Sequence, residues 1–250
     1  MSINTVAIIT GASRGLGREI ARQLLAPENC VITMARSHDA ELVAEAAKLN
    51  AKLQPIQSDL ANPAAAQRAA MQIANALPEG AQRYLLINNA GMVDPVSLAD
   101  GLDQPAAITA AFSLNVTSVM LLTAAFLKAV KPRQADSRIV NISSGAGRNA
   151  TTGWGVYCAT KAALDHYTNV LAAENHGVRV VSLAPGVVDT GMQQAIRSAS
   201  PSDFPNVDRF AQMHDKGQLA SPQDTAARIL RYIARDDFGS KVLDDIRQYD

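Results

Sequence analysis

The sequence predicts a doubly wound α/β fold, a Rossmann-like parallel sheet with helices on both faces in a single domain. Three observations lead there. Short apolar runs alternate with amphipathic helical stretches about six times along the chain. A glycine-rich turn joins the first run to the first helical stretch. The chain has 250 residues, 48% of them apolar, which suits one sizeable core, and no linker, fixed-period repeat or low-complexity tract divides it.

Each element follows from its local pattern. Thr5 to Thr10 is a β-branched apolar run closed by Gly11, read as a buried strand. Gly15 to Ala26 carries Ile20 and Leu24 at helical spacing, and Pro27 ends it. Cys30 to Ala35 reads as a second strand, Asp39 to Leu49 as helix, and Lys52 to Gln57 as a third strand. Pro55 marks an end or an irregularity in that third strand. An alanine-rich helix follows Pro63, then a strand from Tyr84 to Asn89 and a long helix from Ala111 to Val130. Ser137 to Ser144 and Val178 to Ala184 read as strands flanking a helix that contains Tyr157. From Met192 to Pro222, Ser, Pro, Asp and Asn break the helical pattern. Residues 191–221 are expected to be a lid over a ligand site, with a long surface loop as the plainer reading.

Composition narrows the function. Lys plus Arg and Asp plus Glu number 23 each, so the formal net charge is zero. No excess charge points to nucleic acid, a membrane surface or another polyanion. Two cysteines, Cys30 and Cys158, are too few for a disulfide framework. The N-terminal MSINTVAIITGAS has no basic leader, and the apolar stretches are read as far short of the ~20 residues of a membrane span. A soluble cytoplasmic protein is expected.

Thr10-Gly-Ala-Ser-Arg-Gly-Leu-Gly17 sits between the first strand and the first helix. Glycines there permit a sharp turn and a close backbone approach, and the helix N-terminus offers free N–H groups to a pyrophosphate. The spacing is G-x-x-x-G-x-G rather than G-x-G-x-x-G. An NAD site usually has a carboxylate after the second strand, whereas here the chain reads Met-Ala-Arg-Ser. Arg14 and Arg36 are therefore either solvated surface residues or a clamp on a 2′-phosphate, and the second reading selects NADP(H). Asp59 is either an acceptor for the adenine amine or part of a helix N-terminal turn.

Tyr157 and Lys161 are four residues apart on a helix and so share a face. An ammonium near a phenol lowers its pKa, and a phenol so tuned can exchange a proton near neutrality. Ketone reduction needs such an acid, because hydride arriving at carbon leaves an alkoxide. Ser143 or Ser144, just upstream, can hold the carbonyl oxygen.

TGASRGLG, NNAG from Asn88 to Gly91, Asn115, ISS, Tyr157-x-x-x-Lys161 and PGxxxT from Pro185 to Thr190 occur in that order. On these motifs, over nearly the whole chain, the sequence resembles the short-chain dehydrogenase/reductase family. The resemblance implies Tyr157 as general acid/base and Lys161 as holder of the nicotinamide ribose and depressor of the tyrosine pKa. It implies Ser144, rather than Ser143, as the carbonyl-orienting hydroxyl, and Asn115 as holder of a relay water. It also implies an NADP(H) site built from Gly11, Ser13, Arg14, Gly15, Leu16, Gly17, Arg36, Asp59, Leu60, Asn88, Ala90, Gly91, Pro185, Gly186, Val188 and Thr190, together with Tyr157 and Lys161.

GW-x-x-YC-x-x-KAA, PG-x-x-DT-x-MQQ and KGQL are further similar to sepiapterin reductases and related bacterial carbonyl reductases acting on compounds such as benzil. In sepiapterin reductases an aspartate near the C-terminus anchors the pterin. Asp245 takes that place here, with Asp244 beside it, although Ile246 and Arg247 stand where those proteins have aromatics. The expected substrate contacts are Ser144, Tyr157, Trp154 and Asp245, with Trp154 either walling the pocket or capping the core. The expected reaction is NADPH-dependent reduction of a ketone or dicarbonyl. The rivals are a β-ketoacyl-carrier-protein reductase and a catalytically silent nucleotide-sensing protein, the latter opposed by the intact Asn115, Ser144, Tyr157 and Lys161. Cys158 is read as a packed small side chain, and His38, His166, His176 and His214 show no metal-ligand spacing. The resemblance also implies a homodimer or homotetramer formed through the long helix and the Tyr157 helix.

Overall fold

The computed structural model describes residues 3–249. Seven parallel strands form one sheet: β1 Thr5–Thr10, β2 Asn29–Ala35, β3 Lys52–Gln57, β4 Arg83–Asn88, β5 Asp136–Ile142, β6 Arg179–Ala184 and β7 Leu243–Asp245. Their order is β3-β2-β1-β4-β5-β6-β7, so the winding reverses between β1 and β4. Ligands of such sheets lie beyond the C-terminal strand ends at that reversal.

Side chains alternate across the sheet and are buried on both sides. From β1, Ala7 and Ile9 join the core that holds Ile20 of α1 (Gly15–Gln23), Leu42 of α2 (Ala40–Lys48) and Ile229 of α9 (Pro222–Ala234). Val6 and Ile8 face the other core, with Ile73 of α3 (Pro63–Ala76), Phe126 of α5 (Ser118–Val130) and Leu171 of α6 (Gly155–Glu174). Each such fully buried aliphatic contributes about 1.5–3 kcal/mol. β3 is an edge strand, which is where Pro55 can be tolerated without costing a ladder bond on both sides.

Several boundaries and one architecture differ from expectation. α1 ends at Gln23, because Leu24 and Leu25 turn back to the carbonyls of Ala21 and Arg22. The strand expected at Ser137–Ser144 stops at Ile142, which frees both serines for the turn beyond it. The long helix begins earlier, as α4 Pro105–Phe112, and passes through a π turn at Ser113–Thr117 into α5. This continuous run of 26 residues is apolar enough by length and composition to cross a membrane, contrary to the sequence expectation. Its inward face, with Leu122 and Phe126, is spent on the core.

Residues 191–221 are not irregular throughout. They form α7 Gly191–Arg197 and α8 Val207–Asp215, whose Ile196, Val207 and Phe210 pack with Phe204 in a third apolar cluster. β7 was not anticipated from sequence; it pairs Asp245 with Ala184 and so carries the tail to the C-terminal edge of the sheet.

Candidate active site

The glycine loop is held by contacts that leave no room for side chains. Gly11 (φ +67°) would set a Cβ 2.9 Å from Ala90 Cα, and a Cβ on Gly17 would lie 2.5 Å from Gly11 O. The brace is Asn89, whose Nδ2 donates to Thr10 O at 2.9 Å, while Thr10 Oγ1 accepts from the N–H groups of Asn89 and Ala90. Asn88 was expected to line the adenosine side. It is instead buried, donating to Asn141 at 2.8 Å, while its neighbour Asn89 braces the glycine loop. Asn88 lies one position earlier, at the end of β4, so its side chain projects to the other sheet face.

α1 begins at Gly15 with no side-chain cap and no acid in its first turn. Its first N–H groups and positive dipole end are thus available to an anion, and the glycine cradle admits a close backbone approach. These features fit a dinucleotide pyrophosphate. Beside them a small depression is lined by Ala12, Ser13, Ala35, Ser37 and His38. Asp39, the first acid after β2, is consumed by Arg18 and by capping α2. Arg36 stands exposed at the end of β2. The expected two-arginine clamp is not preformed, because the Arg14 guanidinium leans toward Gly191, with Cζ 3.9 Å from a Cβ built there. Asp59 is exposed and accepts from Ala61 N at 3.1 Å, the turn reading of that residue, while Leu60 is buried in the core.

On the other side of the cleft, Ser144 caps a short 3₁₀ turn, Gly145–Gly147, and its hydroxyl accepts from Ala146 N. This turn rests on α6: a Cβ on Gly147 would lie 2.8 Å from the Lys161 carbonyl. Tyr157 and Lys161 are both buried on α6, with Nζ 5.7 Å from the phenol ring centroid. The ammonium donates to Ile142 O at 2.8 Å. Ser144 stands beside the Tyr157 hydroxyl, while the Ser143 hydroxyl is buried with no partner among the described residues.

The electrostatics differ from expectation. Burial pushes Tyr157 up to about 12, against the lowering effect of the Ser144 hydroxyl. Burial pushes Lys161 down to about 8, with the nearby Asp165 carboxylate opposing it. Desolvation, which sequence spacing does not display, outweighs the expected pull of Lys161 on the phenol. At neutral pH the site therefore holds a protonated phenol beside an ammonium.

Asn115 lies in the π turn, and both ends of its amide are bound to the main chain of Met92 at 2.9 Å, with Thr160 as a third partner. The π turn widens the helix so that this residue faces the strand ends. Its side chain fixes the Gly91–Met92 segment and the start of α6, a bracing role that the sequence motif did not disclose.

Trp154 stacks on Phe204 at 5.0 Å and meets Phe210 at 5.4 Å and Tyr157 at 5.5 Å, nearly perpendicular to the phenol. This buried aromatic cluster joins the tyrosine to the segment between α7 and α8, so the structure gives Trp154 the core-capping place. Pro185 and Gly186 follow β6, Val188 bridges to Ala220, and the Thr190 methyl lies 3.2 Å from a Cβ built on Gly15. Asp245 ends β7, where Arg247 takes both its oxygens, at 2.9 and 2.6 Å. The Arg247 stem lies over Gly186. Asp244 is buried and accepts from the hydroxyls of Tyr232 and Tyr249, so it is part of the tail's anchorage.

Residues 5–201 match the family described as short chain dehydrogenase. The chain is 37% identical to a benzil reductase ((S)-benzoin forming) of Bacillus cereus over 92% of this chain and 94% of that one. It is 38% identical to a sepiapterin reductase of Meriones unguiculatus, over 94% and 93% of the two chains. Its fold matches the crystal structure of a short-chain dehydrogenase/reductase from Burkholderia vietnamiensis with a TM-score of 0.69 at 33% identity, covering 99% of each chain. The chain belongs to the short-chain dehydrogenase/reductase family. It is an oxidoreductase of the CH–OH/C=O class that uses a nicotinamide cofactor.

Proposed function

We propose that this protein is an NADPH-dependent reductase of aromatic dicarbonyls, benzil-type substrates in particular. The observation that carries the reading is the buried aromatic cluster of Trp154, Phe204 and Phe210 packed against Tyr157. Its Trp154 edge, next to the phenol, would border a flat apolar ketone and help exclude water beside the acid. Residues 191–221 act as the lid of that pocket, and Trp154 as its inner face.

When bound, the cofactor supplies hydride. Ser144 orients the carbonyl oxygen, and Tyr157 gives it a proton. A phenol held protonated is the right form for reduction, because the nascent alkoxide is a far stronger base than a phenolate. Lys161 offsets the negative charge left on Tyr157 and holds the nicotinamide ribose. Asn115 supports the proton relay through the main chain of its π turn, since its side chain is committed to Met92 and Thr160. Gly11, Ser13, Gly15, Leu16 and Gly17 face the pyrophosphate, Ala90, Gly91 and the main chain of Asp59 and Leu60 the adenosine side, and Pro185, Gly186, Val188 and Thr190 the nicotinamide. Preference for NADPH rests on Arg36 and on the absence of a free acid there, with Asp39 already bound by Arg18.

A second reading, pterin reduction, is favoured by Asp245, which β7 delivers beside Ala184 at the substrate end of the sheet. Arg247 competes for that carboxylate, but the guanidinium is 66% exposed and such pairs contribute only about 0–1 kcal/mol, so a ligand can displace it. NADPH oxidation at 340 nm with benzil, sepiapterin and a β-ketoacyl thioester separates the readings. The diketone is expected to give the highest kcat/KM, and a clear preference for sepiapterin that vanishes in Asp245→Ala would replace the first reading with the second. Assembly as a homodimer or homotetramer is proposed through exposed Phe112, Met120 and Val170 on α4, α5 and α6; a monomer mass by light scattering would refute it. A cytoplasmic location is proposed on composition.

A further inference from the structure

Behind the catalytic pair lies a buried ionic node that the mechanism above does not use. Asp165 is one helical turn beyond Lys161 on α6 and is only 4% exposed. Its Oδ1 accepts from the Ser182 hydroxyl at 2.5 Å, and its Oδ2 from Arg148 Nε at 3.0 Å. Arg148 is the residue that closes the 3₁₀ turn begun by Ser144. Its other two nitrogens donate to Ser182 O at 3.1 Å and Asp244 O at 3.0 Å. One guanidinium therefore ties the serine turn to α6, β6 and β7 together. A carboxylate buried this deeply is costly unless it is fully bonded and opposed by positive charge. Two positive charges face Asp165: Arg148 from the serine turn and Lys161 from its own helix. On β7, the Asp244 carboxylate is directed at Tyr232 and Tyr249. The neighbouring His166 is exposed.

We propose that Asp165 is a positioning residue for the reduction, holding the Ser144 turn against α6 through Arg148 and setting a buried carboxylate one helical turn from the Lys161 ammonium. The first role sets where the Ser144 hydroxyl stands relative to Tyr157. The second keeps an ammonium available to the nicotinamide ribose. This rests on the reductase reading of the site, and the test separates the two.

The sign follows from burial. Lys161 sits near 8 with Asp165 raising it, so removing that charge moves the loss of the ammonium to lower pH. NADPH binding is followed by its fluorescence from pH 6 to 10, which requires no turnover, and kcat/KM is measured over the same range. In Asp165→Asn the alkaline limb of both curves is expected to move acidward by about one pH unit, giving roughly a fivefold loss at pH 8, approaching tenfold above about pH 9, and little at pH 6. Ser182→Ala breaks the same node without removing charge and should leave the limb in place. Arg148→Gln keeps the carboxylate near Lys161 but frees the serine turn. It should lower kcat without an acidward limb, and it preserves the test if Asp165→Asn does not fold. Equal, pH-independent losses in all three variants would show a merely structural node and overturn the proposal. A wild-type protein that bound no NADPH at any pH would overturn the reductase reading, and this inference with it.

Discussion

The two ends of the sheet are built differently. At the N-terminal end, Asp136 at the start of β5 receives Arg83 from β4, Arg138 from its own strand and Arg179 from β6, at 2.7–2.8 Å. Three neighbouring strands are stapled by one carboxylate. Burial alone would raise Asp136, but hydrogen bonds from Arg138, Arg179 and Arg83 hold it well below the usual carboxylate range. At the C-terminal end, beside the paired charges of Arg148 and Asp165, Ser143 Oγ, Asn88 Oδ1, Trp154 Nε1 and Gln193 Oε1 are buried without a partner among the described residues. Lys161 is buried there with a main-chain carbonyl for its acceptor. The first end is held by charge on charge, whereas the second keeps neutral polar groups and one ammonium with few protein bonds.

That contrast can be broken from either side. Tyr157→Phe at the open end should cut kcat by about 10³-fold with little change in Tm, because the lost hydroxyl is catalytic rather than cohesive. An unchanged rate would remove the assigned acid. Asp136→Asn at the closed end should do the reverse, destabilising by about 2 kcal/mol at pH 7, discounted for partial exposure, with kcat intact. A depressed carboxylate stabilises above its unfolded pKa, near 4, and that stability is lost as pH falls through the lower folded value. The gap between wild type and Asp136→Asn in denaturant melts should therefore shrink below about pH 4. Arg36→Ala should weaken NADPH binding about tenfold and leave NADH unaffected, as expected for loss of a charged hydrogen bond to phosphate. Smallest of all, Asp245→Ala should change benzil turnover by less than about threefold, since it disrupts only a partly exposed ion pair.

Legibility followed the same division. Six of the seven strands and the glycine loop could be read because apolar runs and glycine spacing are local signals. That Tyr157 and Lys161 share one helix face could be read from their spacing, whereas only the family resemblance selects Ser144 over Ser143. β7 could not, since three residues with two aspartates carry no apolar run and are held by pairing with β6. α8 shows only Val207 and Phe210 as buried positions amid Asn, Asp and His. Asn89's brace, the Asp245–Arg247 pair and the Arg148–Asp165 node depend on which side chains meet in space. The sign of the Tyr157 shift was missed because burial has no sequence spacing.

The π turn at Ser113–Thr117 gives the chain an unusual sensitivity to a change in length rather than in chemistry. Removing one residue from it would let the helix close into a regular α-helix. Every residue on the near side would then swing by about 100° around the axis relative to α5. Leu122 and Phe126 would stay in the core, but Asn115 would leave Met92. A single-codon deletion at this point is therefore expected to yield a protein that still folds and has lost the Asn115–Met92 brace together with the turn that carries it.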